Sequence, residues 1–122
     1  MFGLKNSLIR ETIQCLQDPA KWNPDGHYVH GTKCIVTACF NAAVDRSTHH
    51  DCNHGPALAA IRDVIENRFG LSRGSQWSRR AGRDRADIIR FNDNKLTDHD
   101  DVMWVLRKAE RITRPFWRGD MA

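Results

Sequence analysis

Six consecutive residues, His49-His50-Asp51-Cys52-Asn53-His54, crowd potential metal ligands into one short stretch. Zinc takes tetrahedral nitrogen and sulfur donors, so His50, Cys52 and His54 are the ligands such a centre would use. The spacing is not one of the patterns that mark a zinc domain, and no Cys-x-x-Cys pair accompanies it. The expectation is a polar loop between helices and no cofactor, with zinc the metal the stretch would suit. A second group is Cys34 with His27 and His30 just before it. A helix start is where free backbone N–H groups activate a thiol, and a Cys-His pair is the machinery of acyl transfer. Cys34 also opens an apolar run, in which a cysteine behaves as a small hydrophobe. Cys34 with His30 therefore stands as the secondary reading, and the chain is expected to be non-enzymatic.

The third group is basic. Residues 68–90 carry Arg68, Arg73, Arg79, Arg80, Arg83, Arg85 and Arg90 against only Asp84 and Asp87, a net charge of +5. Guanidinium groups grip phosphate through paired hydrogen bonds, and Trp77 among them can stack on an unpaired base. Arg73, Trp77, Arg79, Arg80, Arg83 and Arg85 are the binding residues this predicts. The partner is nucleic acid or a protein complex that handles it. Residues 93–101 reverse the sign, with Asp93, Asp98, Asp100 and Asp101 against Lys95. That reversal admits a third reading, in which the two blocks pair with each other or with a second copy in a homodimer. Residues 1–60 balance five basic against five acidic side chains, so the whole excess of the chain, +4, lies in the second half.

Other chemistries lack their residues. There is no glycine-rich phosphate loop, no His-Glu-x-x-His and no Gly-x-Ser-x-Gly. The aspartates at 98–101 are accounted for by helix capping. The N-terminal run MFGLKNSLIRETIQCL is interrupted by Lys5, Arg10 and Glu11, so it lacks the unbroken apolar stretch of a signal peptide or membrane span. A cytosolic location without membrane association follows as the expectation, with the four cysteines reduced rather than paired.

The elements that must position these groups are helical. The 122 residues, 40% hydrophobic and 28% charged, fit one all-α domain over residues 1–114 with a tail at 115–122. Leu4, Leu8, Ile9, Ile13 and Leu16 make one stripe on a first helix ended by Pro19. Residues 20–31, with Pro24 and Asp25-Gly26, form a connection pinned by Trp22 and Tyr28, which admits a short hairpin. Residues 32–44 are apolar nearly all round and predict a central second helix. Two cysteines in that helix, at 34 and 39, would stand about 140° apart around its axis and could not share a metal. Pro56 suits the first turn of a third helix with the stripe Leu58, Ile61, Ile65 and Phe69, and Gly70 stops it. A short fourth helix near 85–91 would partly bury Ala86, Ile88 and Ile89. After an Asn92-Asp93-Asn94 turn, Thr97-x-x-Asp100 reads as a capping box for a fifth helix bearing Val102, Val105, Leu106, Ala109 and Ile112. Met103 and Trp104 lie beside that stripe.

Several runs together resemble a known family. They are Gly31-Thr-Lys-Cys34-Ile-Val-Thr-Ala38, the Ala57-Leu58 helix start, Phe91-Asn92-Asp93 followed by Thr97-x-x-Asp100-x-Val102, and Val105-Leu-Arg-Lys-Ala109. The family is one of small bacterial and phage proteins, a domain of unknown function, and the resemblance covers most of residues 7–112. Phe91 stands where the family has Trp, Thr37 stands where it has Gly, and residues 72–84 look like an insertion. The resemblance implies a compact helical domain and transfers no activity or catalytic residue. The expected function is that of a small intracellular binding protein of phage or mobile-element type, such as an inhibitor of a host defence complex.

Overall fold

A computed structural model describes residues 4–24, 29–46, 54–70 and 83–115. Five α-helices carry these residues: α1 Leu4–Leu16, α2 Ile35–Arg46, α3 Gly55–Phe69, α4 Arg83–Asp93 and α5 His99–Ile112. No strand occurs among the described residues. The helices follow the apolar periodicity closely. Leu8, Ile9, Leu16, Ile61, Ile65, Ile88, Phe91, Val102, Val105 and Leu106 are all buried in one core, each contributing about 1.5–3 kcal/mol by leaving water. Within it α1 packs against α5, α2 and α3, and α3 pairs with α4 and α5. No described helix is long and apolar enough to cross a membrane.

The local stop signals act as their chemistry requires. Gly70 adopts φ 71° and its N–H reaches the Glu66 carbonyl, ending α3 in a backbone region open to glycine at little cost. Pro56 sits in the first turn of α3. At the end of α1, Asp18 caps a single 3-10 turn, Pro19–Lys21, by accepting from the Ala20 N–H at 3.0 Å. His99 donates from Nε2 to the Leu16 carbonyl at 2.7 Å, satisfying one of the acceptors that a helix end leaves open.

Several expectations are corrected. The α5 cap is Asp98 with Asp101: Asp98 Oδ1 accepts from the Asp101 N–H at 2.8 Å and Asp101 Oδ2 from the Asp98 N–H at 3.2 Å. Thr97 and Asp98 both have an aspartate three residues on. Thr97 is buried and Asp98 is exposed, so the cap falls one residue later. Helix α2 starts at Ile35 rather than near Thr32, leaving Cys34 outside it. It contacts α1, α3 and α4 but keeps Thr37, Phe40 and Val44 exposed, so it is buried on one side and not all round. Ala86 and Ile112 are exposed as well. The flanks of the expected hairpin meet in one isolated parallel bridge, Trp22 with Lys33, whereas a hairpin pairs antiparallel. Tyr28 and the Asp25-Gly26 turn lie outside the described residues.

The two ends of the chain's described part are held by a polar contact inside the core. Asn6 on α1 donates from Nδ2 to the Glu110 carbonyl at 2.7 Å and to Glu110 Oε2 at 3.0 Å. Arg114 adds bonds to Glu110 Oε1 at 2.8 Å and Oε2 at 3.0 Å. The Arg114 guanidinium holds the Glu110 carboxyl below its usual value of 4.5; burial opposes this and Asn6 assists it. A carboxyl depressed on folding adds stability above its unfolded value and loses it as pH falls through the folded one. Thermal melting between about pH 5 and pH 3 should therefore show a drop in wild type that is smaller in Glu110→Gln.

Candidate functional site

The basic stretch 68–90 runs from the last turn of α3 through α4. Arg73, Trp77, Arg79 and Arg80 lie outside the described residues, and Arg83 opens α4. Arg68 and Arg85 are exposed. The acids of the stretch are not. Asp87 is buried, and its Oδ2 lies 3.3 Å from Nε of Arg62, a residue of α3 that is itself only 2% exposed. Asp84 Oδ1 lies 3.9 Å from the same nitrogen. Glu66 takes the other edge of the guanidinium, with Oε2 2.8 Å from Nη1 and Oε1 3.3 Å from Nη2. Burial works against the Arg62 charge, and the bonds to Asp87 and Glu66 outweigh it, so Arg62 titrates above its usual value. Arg90 Nη1 stands 3.5 Å from the second Asp87 oxygen. Both carboxylates of the basic stretch thus approach Arg62 of α3, and Asp87 also meets Arg90 of the stretch itself.

Arg68 links this stretch to α5. Its guanidinium carbon sits 4.4 Å from the centre of the Trp104 ring, within the range of a cation–π contact. Trp104 is 40% exposed. At 100° per residue, Trp104, Arg107, Lys108 and Arg111 fall within an arc of about 100° on the helix. Arg107, Lys108 and Arg111 have no ion-pair partner among the described residues. Within the acidic block 93–101, Asp98 and Asp101 cap α5, Asp93 accepts from Asn92 Nδ2 at 3.0 Å, and Asp100 is exposed. Reading along the chain finds the basic stretch but misses Arg62, which looks like any surface arginine between Ile61 and Asp63. It also misses the Arg68–Trp104 contact, whose one visible signal is a tryptophan three, four and seven residues before basic side chains.

Cys34 and His30 line the same cavity, of about 540 Å³, with Asn23, Lys33, Thr37 and Asn41. Cys34 Sγ accepts from the Thr37 N–H at 3.4 Å and lies 3.3 Å from the Thr37 hydroxyl. The sulfur therefore does the work of an N-cap oxygen. Thr37, in the place of the family's glycine, faces this cavity and leaves no helix to be crowded. Cys39, one turn along, is a different thiol. It is fully buried, which pushes it up to about 11, against a smaller opposing effect of its Thr12 hydrogen bond. It is inert at neutral pH.

One buried side chain holds Asn23, which lines this cavity, and the start of α2 in place. Asn92 Oδ1 accepts from Trp22 Nε1 at 2.8 Å and from the Ile35 N–H at 3.1 Å. Its Nδ2 donates to the Asn23 carbonyl at 2.8 Å. Asn92 was expected to make the turn after α4. That work falls instead to Asn94, whose Oδ1 accepts from the Leu96 N–H at 2.8 Å.

His50 and Cys52 lie outside the described residues. His54 precedes α3 and packs edge-on against Phe40, ring centres 5.4 Å apart. No group of three or more His, Cys, Asp or Glu side chains is placed to hold a metal among the described residues.

A family model described as a family of unknown function, DUF6197, matches residues 5–112. The chain belongs to that family. The match spans the whole of residues 7–112, where the resemblance lies. Neither a curated protein nor a solved structure matches the chain. In this DUF6197 member the Asn-Asp segment that carries the resemblance is the buried clamp between α4, Trp22 and the start of α2.

Proposed function

We propose that this chain is a non-enzymatic binding protein that engages nucleic acid, or a complex that handles it, through the arginine-rich stretch 68–90. One observation carries the reading. Arg68 and Arg85 are exposed, while Asp87, one of the two acids of the stretch, is buried against Arg62 and Arg90. Exposed guanidinium groups on one region draw phosphate and release its counterions. A cytosolic accessory protein of a phage or mobile element, acting on a host complex, fits this reading. The direct test is fluorescence anisotropy with labelled single- and double-stranded oligonucleotides at low salt. Arg79→Ala/Arg80→Ala/Arg83→Ala should weaken binding at least tenfold and flatten its salt dependence, each lost phosphate contact removing about 0.7–0.9 from the slope. Unchanged binding would sink the proposal.

A second reading, a small cysteine-dependent enzyme, is favoured by the shared cavity of Cys34 and His30. It requires Cys34 to alkylate faster than an ordinary thiol. A homodimer, the third reading, would announce itself as twice the chain mass in solution.

A further inference from the structure

We infer that the outer face of α5, with Trp104 at its centre, is a platform for one unpaired base of a single-stranded nucleic acid, its phosphates held by Arg107, Lys108 and Arg111. The inference rests on the nucleic-acid reading above and adds to it a site outside the stretch 68–90 together with the form of the strand. Three observations support it.

The first is the arrangement of charge. Arg107 and Arg111 stand one turn apart on the same face, with Lys108 between them. Like charges at that spacing destabilise a helix, and no carboxylate relieves them among the described residues. The negative end of the helix dipole accounts for a cation only in the last turn, which is Arg111 and not Arg107 or Lys108. An anion bound along the face removes the cost for all three.

The second is the ring itself. Trp104 is 40% exposed although Met103, Val105 and Leu106 beside it are buried in the core. Arg68 covers one face of the ring, and the indole surface still exposed is what a base can cover. Stacking needs a π-face and not a particular base.

The third is Arg68, whose guanidinium packs over the Trp104 ring at 4.4 Å. It fixes the orientation of the indole and puts a fourth cation beside the stacking position. A duplex keeps its bases stacked on one another and offers Trp104 no free base, so the geometry selects the single strand.

The experiment is anisotropy of a labelled oligothymidylate of about 12 nucleotides and of the same strand in duplex with oligoadenylate, titrated with the whole chain at two salt concentrations. The single strand should bind more tightly than the duplex. Trp104→Ala should weaken single-strand binding about tenfold and leave the duplex nearly unaffected, while Trp104→Phe keeps most of the affinity. Arg107→Gln/Arg111→Gln should weaken both forms and reduce the single-strand salt slope by about 1.4. Urea midpoints check that each variant folds, and Trp104→Leu replaces the alanine variant if that one does not. If Trp104→Ala or Trp104→Leu binds the single strand as wild type does while Arg79→Ala/Arg80→Ala/Arg83→Ala does not, this inference is overturned and the broader reading stands. If neither oligonucleotide binds at low salt, both fall. If polyglutamate displaces oligothymidylate as well as unlabelled oligothymidylate does, the face recognises acidic protein and the inference is overturned.

Discussion

Replacing Asn92 with alanine should lower the stability of the chain by about 3–6 kcal/mol, read as a shift of the urea midpoint at constant slope. The size follows from what the substitution strands. The Trp22 indole N–H, the Ile35 N–H and the Asn23 carbonyl each lose a bond to Asn92, and a buried polar group left without its partner costs about 1–3 kcal/mol. Asn92→Asp is a sharper probe. It keeps an acceptor for Trp22 and Ile35 but sets a buried carboxylate against the Asn23 carbonyl and beside Asp93. Its ionised form is disfavoured by folding, so the variant should gain stability as pH falls, in the opposite sense to wild type. Because Asn92 also anchors Asn23 and the start of α2, the cavity containing Cys34 should open in both variants. Faster alkylation of Cys34 in the native state would report it.

Arg62→Met carries the second large effect. Asp87 is 1% exposed and has Arg62 and Arg90 as its cationic neighbours. Removing Arg62 takes the nearer cation from a buried carboxylate and leaves it Arg90 at 3.5 Å, and deleting one partner of a buried pair costs about 3–5 kcal/mol. The double variant Arg62→Met/Asp87→Leu should recover most of the loss, since apolar residues of similar volume often replace a buried ion pair without penalty. A double-mutant cycle from equilibrium unfolding measures this. If the single and the double variants are equally destabilised, the clasp between α3 and α4 does not carry the energy assigned to it.

Most of the frame was readable along the chain because its signals are local. Gly70 after Phe69, Pro56 before Leu58 and the stripe from Val102 to Ala109 need no distant partner to be interpreted. The boundaries that slipped did so where two neighbours satisfy one local rule, as Thr97 and Asp98 do at the start of α5, and burial of the first decided between them. Cys34 shows the same limit: it sits in an apolar run, and its place outside α2 depends on Asn92 taking the Ile35 N–H from 57 residues away. The polar core was hidden more deeply. Nothing near Arg62 in sequence says that it is buried, since Asp87 lies 25 residues on. For the candidate binding faces the types and local spacing of the arginines were visible, while the contact of Arg68 with Trp104 joins two helices and is tertiary by nature.

Apolar helix faces are forgiving. Two of them can slide past one another by a turn, about 5.4 Å, and still find hydrophobic neighbours. The Arg62–Asp87 contact opposes such a slip between α3 and α4, because it would part the two ions and leave buried Asp87 with Arg90 of its own helix. The pair is thus keyed to one axial register. The chain between them leaves α3 and enters α4 from two fixed points. Residues 62 and 87 lie on the helices themselves, so that register is set within the frame and not by the connection.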